Sequence, residues 1–147
     1  FVAHTYYWGD IHLQNFGEKR GSQISPVKDA IDYGMKYTFH QDTPVIPPDM
    51  MRTISSAVNR ISRGGRVIGE NQKISVLDAL KAVTIYAAYQ YFEEHEKGSI
   101  ECGKYADFVV LEKNPLKTPK EELAEIKVWM TIKENEVIYR SGEANHE

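Results

Sequence analysis

The sequence predicts an α/β fold in which a mainly helical part is followed by a small antiparallel sheet. Apolar residues recur at helical spacing over much of residues 26–92, whereas three short runs between residues 107 and 140 have the composition and alternation of strands. A turn bounded by Gly98 and Gly103 separates the two patterns. This order of helices and strands does not suit an independent domain, because a parallel pair of strands joined by one crossover cannot bury both its faces.

The N-terminal 25 residues are predicted to hold strand ends and a loop. Residues 1–3 begin abruptly in apolar side chains, which is typical of the end of a strand. Residues 4–10 are dense in aromatic and polar groups, which favours a loop that follows that strand end. Residues 21–25 are expected to form a very short strand of their own.

One helix and one further strand are predicted next. Ser25 followed by Pro26 is a favourable helix start, with the serine as N-cap and the proline as first helical residue. Gly34 suits the position just after the end of this helix. Residues 36–39 alternate in the manner of a strand, which leads into the polar segment 40–42.

Three helices are predicted in the middle of the chain. Asp49 is expected to cap the first, which residues 63–66 end. The apolar face of this helix is expected to comprise Met50, Ile54, Val58 and Ile61. Ser75 with Asp78 resembles a capping box for the second helix, and Thr84 is expected to cap the third.

Three strands are predicted in the C-terminal part. They are expected over residues 107–112, 127–133 and 137–140, all in one antiparallel sheet. A short turn at Glu134 and Asn135 makes the last two strands a hairpin. The sheet should therefore have the second and third strands as neighbours.

Composition excludes several classes of function. The chain has 147 residues, of which 41% are hydrophobic and 27% charged, as in ordinary soluble domains. Its net charge of −3 and its scattered basic residues indicate no nucleic-acid or membrane partner. The single cysteine, Cys102, excludes an internal disulfide and favours a reducing compartment, so we expect a cytoplasmic protein. Because Phe1 stands where methionine is usual, we expect the true N-terminus to be missing.

Four segments carry a more specific pattern. They are His-Thr-Tyr-Tyr-Trp-Gly-Asp at 4–10, Ser-Pro-Val-Lys-Asp-Ala-Ile-Asp-Tyr-Gly at 25–34, His-Gln-Asp-Thr-Pro-Val at 40–45, and residues 75–88 together with 97–111. Taken together and in this order, they resemble the amidohydrolase superfamily and, within it, the YtcJ-like branch called amidohydrolase family 3. His40 and Gln41 depart from the Gly-Ser that is commoner in this family before the aspartate.

This resemblance implies a fold and an activity. Residues 1–96 would be the C-terminal part of a (β/α)₈ metal-dependent hydrolase barrel, and residues 97–147 the return strands of a small β-sandwich domain. The implied activity is hydrolysis of carbon–nitrogen bonds other than peptide bonds, with a divalent metal, zinc as first choice. The implied partner is a small-molecule substrate, and a homodimer is a separate expectation.

The chain alone is expected to be inactive. The family's early motifs, which include the His-x-His after the first barrel strand, are not in this sequence. Two other interpretations remain open: a non-catalytic regulatory or ligand-binding member of the same family, and a self-standing α+β interaction module. The residues before Phe1 would discriminate between an enzyme and a non-catalytic relative.

Asp42 and His4 are the candidate catalytic and metal-binding residues. The resemblance implies that Asp42 binds metal, takes a proton from the attacking water and returns it to the departing nitrogen. The alternative is a purely structural role for Asp42, in an Asx turn ahead of Thr43 and Pro44. His4 would bind zinc through an imidazole nitrogen. The alternative is that His4 only packs against its neighbours and binds no metal.

Trp8 and His40 are the candidate substrate-binding residues. Trp8 lies among aromatic residues that suit the apolar wall of a ligand pocket, although packing on a neighbouring helix would explain it equally well. His40 precedes the candidate catalytic aspartate by two residues and is expected to line the same pocket.

Overall fold

Five α-helices are followed by three β-strands in residues 2–142, the part of the chain that the structure, a computed structural model, describes. The helices are α1 His4–Gly21, α2 Val27–Asp32, α3 Met50–Asn59, α4 Val76–Val83 and α5 Ile85–Gln90. The strands are β1 Phe108–Leu111, β2 Val128–Lys133 and β3 Glu136–Arg140. Short 3₁₀ turns lie at Glu70–Gln72 and Lys120–Glu125. The predicted mixed α/β fold with a C-terminal antiparallel sheet is confirmed.

The N-terminal segment is helical, and the predicted loop over residues 4–10 and short strand over residues 21–25 are wrong. Helix α1 covers residues 4–10 and ends at Gly21, and residues 22–25 form turns and bends. The helix geometry is interrupted at Gly17, which has φ of 73°. Val2 and Ala3 form a buried turn rather than a strand end, and Phe1 lies outside the described residues. A helix satisfies its main-chain groups within itself, whereas a strand needs a neighbour, and within residues 2–142 no strand lies beside this segment.

Helix α2 is where the sequence predicts it, although its start differs. Ser25 has φ of 49° and is not the N-cap, a position that Pro26 occupies. Gly34 follows the helix with φ of 68°, as predicted, because glycine adopts this left-handed conformation without strain. Residues 36–39 belong to no sheet within the described chain, so the strand predicted there is wrong.

Helix α3 forms the centre of the hydrophobic core. Asp49 caps it as predicted, with its Oδ1 accepting a hydrogen bond of 2.8 Å from the Arg52 main-chain nitrogen. Its apolar residues in the core are Met51, Ile54, Ala57 and Val58. Met50 and Ile61, which were predicted to share this face, are exposed. Around α3 the core draws further residues from α2, α4 and the Lys120–Glu125 turn.

Helix α3 ends at Arg60, not at the predicted residues 63–66. Arg60 is left-handed, with φ of 56°, and fully buried. Its guanidinium donates to the main-chain oxygens of Ile68 (2.7 Å), Ile24 (2.8 Å) and Ser25 (3.0 Å). Burial lowers the pKa of Arg60 to about 10, so the side chain stays charged at neutral pH. These tertiary hydrogen bonds, rather than the local glycines, determine where the helix stops.

The caps of α4 and α5 differ. Ser75 caps α4 as predicted, with its Oγ accepting from the main-chain nitrogen of Asp78 at 3.1 Å. Thr84 precedes α5, but its hydroxyl donates to Leu80 in the preceding helix at 2.7 Å and does not cap α5. Thr84 therefore continues the hydrogen bonding of α4.

The C-terminal sheet has the order β1–β2–β3 with both pairs antiparallel, which confirms the prediction for these strands. Phe108 lies opposite Ile132 in the first pair, and Met130 opposite Arg140 in the second. The hairpin turn at Glu134 and Asn135 has φ of 50° and 69°, as two-residue hairpin turns of type I′ require. Residues 143–147 lie outside the described chain.

Candidate functional site

Three candidate residues from separate parts of the sequence lie together. His4 is the first residue of α1, and His40 and Asp42 belong to the loop before α3. The Nε2 atom of His4 is 4.0 Å from Oδ2 of Asp42, and the Nε2 atom of His40 is 3.6 Å from Oδ1 of the same carboxylate. The structure thus places an imidazole beside each oxygen of Asp42. The catalytic and ligand roles of these residues remain predictions.

The backbone of the loop presents the Asp42 carboxylate. Asp42 has φ of 65°, in the left-handed region that aspartate tolerates better than most residues. Its main-chain oxygen accepts a hydrogen bond of 2.7 Å from the nitrogen of Val45, which closes a turn across Thr43 and Pro44. Since a main-chain oxygen makes this turn, the carboxylate oxygens can face the two histidines.

Burial lowers the pKa of His4, and neighbouring groups act in both directions. Burial of its side chain, which is 18% exposed, is the largest cause of the lowered pKa, and the positive charge of the amino terminus acts in the same direction. The Asp42 carboxylate and a hydrogen bond to the Gln41 main chain oppose this shift without cancelling it. A lowered pKa favours the neutral imidazole, which is the form that binds metal ions.

Trp8 lies close to His4 along α1. The two residues are four positions apart in the helix, a spacing that puts side chains on the same face. Trp8 is 38% exposed, so part of its ring is open to solvent. The His40 side chain is 61% exposed. That Trp8 and His40 contact the substrate remains a prediction. Tyr6, one of the neighbouring aromatics, instead packs under the Arg52 guanidinium at 4.7 Å.

Gln41 and Thr53 are residues that the sequence did not single out as site residues. The Gln41 side-chain amide donates to Thr53 Oγ1 at 2.8 Å, and this hydroxyl donates to the Asp49 main-chain oxygen at 2.9 Å. The one signal available in the sequence was that Gln41 departs from the usual family residue. Nothing in the sequence pointed to Thr53, because its partner lies in a different element.

The side chains present fit part of a metal site. Imidazole nitrogen and carboxylate oxygen are donor types that zinc accepts, and His4 and Asp42 place one of each 4.0 Å apart. A catalytic zinc site takes about three protein ligands. Within residues 2–142 no cluster of three histidine, cysteine, aspartate or glutamate side chains is arranged to hold a metal ion. His4 and Asp42 therefore suit two of the ligand positions.

A separate cavity of about 1100 Å³ lies between the helices α3–α5 and the sheet. Its walls include apolar residues such as Ile54, Leu80 and Phe108, and none of the candidate site residues lines it. Among the helices described, none is long and apolar enough to cross a membrane.

Comparison with a family model gives a match over most of the chain. The model of the amidohydrolase family, family 3, matches residues 1–139. The matched range includes all four candidate site residues and the whole of β1 and β2.

Curated relatives point to the same family. An N-substituted formamide deformylase of Arthrobacter pascens is 27% identical over 140 residues, which are 94% of this chain and 26% of that protein. A Bacillus subtilis (strain 168) protein named as an amidohydrolase, YtcJ, is 28% identical over 145 residues, or 97% of this chain and 27% of its own length. The chain thus spans about a quarter of these relatives.

One solved structure shares the fold. An amidohydrolase from Thermotoga maritima MSB8 superposes with a TM-score of 0.59 over 78% of this chain and 25% of its own. The two sequences are 22% identical, so this likeness concerns the fold.

Proposed function

The chain belongs to the amidohydrolase family, and we propose on that premise that it is the C-terminal part of a metal-dependent hydrolase. The proposed reaction is hydrolysis of carbon–nitrogen bonds other than peptide bonds. Residues 1–96 would complete a (β/α)₈ barrel, and residues 97–147 would contribute strands to a small β-sandwich. The observation that carries the proposal is the meeting of His4 and Asp42, which come from two different family motifs.

His4 and Asp42 would each supply one ligand to the metal. The imidazole of His4 is suited to this because its lowered pKa, caused first by burial, favours the neutral form. A divalent metal ion, with zinc as first choice, would lower the pKa of a water molecule toward neutrality. The remaining ligands would come from parts of the intact protein outside this chain, as the length of the relatives suggests.

Asp42 would transfer the proton in the reaction. As the water oxygen forms a bond to the substrate carbonyl carbon, one water proton passes to the Asp42 carboxylate. The carbon–nitrogen bond then breaks, and the same proton passes from Asp42 to the departing nitrogen. The products are a carboxylic acid and an amine. Asp42 ends as a carboxylate, ready for another cycle.

The substrate is proposed to be a small N-substituted amide. The deformylase among the relatives acts on N-substituted formamides according to its name, which makes such a compound the natural first assay substrate. Trp8 would pack against an apolar substituent, since its ring is partly exposed and lies on the His4 side of α1. His40, beside Asp42, would contact the polar end of the substrate.

Activity of the full-length protein tests this proposal. We expect hydrolysis of an N-substituted formamide that is lost after treatment with a chelator and restored by added zinc. A catalytically dead, metal-free protein would instead favour the non-catalytic regulatory or ligand-binding alternative. The 147-residue chain by itself should bind zinc weakly or not at all, because it offers two good ligands. Tight one-to-one zinc binding to it in a calorimetric titration would contradict this ligand count.

A further inference from the structure

We propose that Gln41 is a positioning residue that holds His4 and Asp42 in their relative arrangement. This inference rests on the proposed function, since the arrangement matters through the reaction. Gln41 immediately precedes Asp42, and its main chain and its side chain contact different parts of the molecule. Its main chain is hydrogen-bonded to the His4 imidazole, and its side chain to Thr53.

Thr53 provides a fixed point for the loop. It lies in α3 and is fully buried, and its hydroxyl connects Gln41 to the first turn of that helix through the Asp49 main-chain oxygen. The hydrogen bonds of 2.8 Å and 2.9 Å have ordinary lengths for such groups. Seven of the ten residues of α3 are buried, so the anchor belongs to the best-packed helix of the described chain.

The consequence for His4 follows from how histidine ligands are oriented. A hydrogen bond from a ligating imidazole to a main-chain carbonyl fixes the ring orientation, and losing such outer contacts typically costs 10–100-fold in metal affinity or activity. Here the main-chain group belongs to Gln41, whose own position depends on the amide bond to Thr53. Removing the amide should therefore loosen both candidate ligands, His4 and Asp42, together.

The chain offers a matched control for this contact. Thr38 donates from its hydroxyl to Oε1 of Gln90 at 2.7 Å, so a second threonine–glutamine pair ties the same segment to α5. Thr38 lies three residues before Gln41 in the sequence, and its hydrogen bond to Gln90 does not involve His4 or Asp42. Removing this hydrogen bond tests whether the loss of any contact that anchors the segment has the same effect as the loss of the contact between Gln41 and Thr53.

The first experiment compares Gln41→Leu with Gln90→Leu in the full-length protein. For Gln41→Leu we expect kcat for an N-substituted formamide to fall about 10-fold and the zinc dissociation constant, from chelator competition, to rise about 10-fold. KM should stay within about two-fold, because leucine keeps the size of the side chain and the main-chain carbonyl. Gln90→Leu should leave all three values unchanged.

The second experiment tests the other partner of the contact. Thr53→Ser keeps the hydroxyl and should retain kcat and zinc affinity, whereas Thr53→Val should reproduce the losses of Gln41→Leu. The double variant Gln41→Leu/Thr53→Val should be no worse than Thr53→Val alone, since both single changes remove the hydrogen bond between Gln41 and Thr53, and Thr53→Val also removes the one to the Asp49 oxygen. If Thr53→Val fails to fold, the comparison of Gln41→Leu with Thr53→Ser still tests the positioning role of Gln41.

The outcomes separate this inference from the proposed function. Wild-type kcat and zinc affinity in Gln41→Leu would overturn the positioning role and leave the hydrolase proposal intact. Equal losses in Gln41→Leu and Gln90→Leu would also overturn it, because they would indicate general loosening of the segment. A wild-type protein that neither hydrolyses the formamide nor binds zinc would overturn the proposed function, and the positioning role with it.

Discussion

Helix α3 and strand β3 differ in how much of their surface they bury. Seven of the ten residues of α3 are buried, whereas all five residues of β3 are exposed. The helix contacts α4 and the Lys120–Glu125 turn, while β3 pairs with β2 at the edge of the described sheet. The core is thus built around α3, whereas β3 is held by its hydrogen-bond ladder to β2 and buries none of its residues.

The same difference applies to the candidate site. The loop that carries Asp42 is anchored to α3 through Gln41 and Thr53, and the other half of the site lies on α1. The sheet contributes no candidate residue. We therefore expect substitutions in and around α3 to affect stability and the site strongly, and substitutions on β3 to affect them weakly.

The largest effect on stability is expected for Arg60→Met. This change removes the guanidinium donor from the buried main-chain oxygen of Ile68 and from the part-buried oxygens of Ile24 and Ser25, at roughly 1–3 kcal/mol for each group left unsatisfied. We expect the free energy of unfolding to fall by about 4 kcal/mol in urea titrations. The control is Arg66→Met, whose side chain is half exposed and pairs with Glu18. A comparable loss in both variants would contradict the structural role of Arg60.

Ile54→Ala and Ile138→Ala compare the two regions directly. Ile54 is 1% exposed in the core and Ile138 is 60% exposed on β3. The core substitution should cost about 2–5 kcal/mol, because it removes buried methyl groups and leaves a cavity. The strand substitution should cost less than about 1 kcal/mol. Equal costs, measured by chemical unfolding, would show that β3 is buried against another surface in the intact protein.

Asp49→Ala should have a smaller effect, of about 1 kcal/mol, through loss of the hydrogen bond to the Arg52 nitrogen at the start of α3. Thr84→Ala is the control, because its hydroxyl bonds within the preceding helix and does not cap α5. Its cost should stay below about 0.5 kcal/mol. Thermal unfolding of the two variants would reveal a wrong assignment if Thr84→Ala were the less stable.

The elements that the sequence predicted correctly are those with local determinants. The cap at Asp49, the cap at Ser75 and the left-handed glycine after α2 depend on neighbouring residues alone. The hairpin of β2 and β3 likewise follows from a two-residue turn between alternating strands. In each case the physical cause lies within a few positions of the residue concerned.

The elements that were predicted wrongly depend on distant partners. The end of α3 is determined by hydrogen bonds from Arg60 to residues of the α1–α2 connection, which no local pattern reveals. The segment 36–39, predicted as a strand, pairs with no strand among residues 2–142. The aromatic-rich residues 4–10 suggested a loop, but they form the first part of α1.

The candidate site shows the same division. His4 and Asp42 could be proposed because each belongs to a family motif, and the structure places them together. The contact between Gln41 and Thr53 could not be predicted, since it joins a loop to a helix interior through one hydrogen bond. Motif resemblance therefore finds the residues proposed to react, and the structure is needed for those that position them.

His4→Ala and Asp42→Asn should separate the two proposed roles. We expect His4→Ala in the full-length protein to lower zinc occupancy first and activity as a consequence, because a nitrogen ligand is lost. Added zinc should partly restore its turnover. Zinc content by elemental analysis, measured beside kcat, would contradict the ligand role if occupancy were unchanged.

The most direct test of the central claim is kcat of Asp42→Asn in the purified full-length protein, measured at matched zinc content. Asparagine keeps the size of the side chain and most of its hydrogen bonds but cannot accept the proton from water. We expect kcat to fall at least about 10²–10⁴-fold, the usual contribution of a general base, with folding unchanged. An Asp42→Asn protein with full zinc content and near-wild-type kcat would contradict the assignment of Asp42 and favour the non-catalytic alternative.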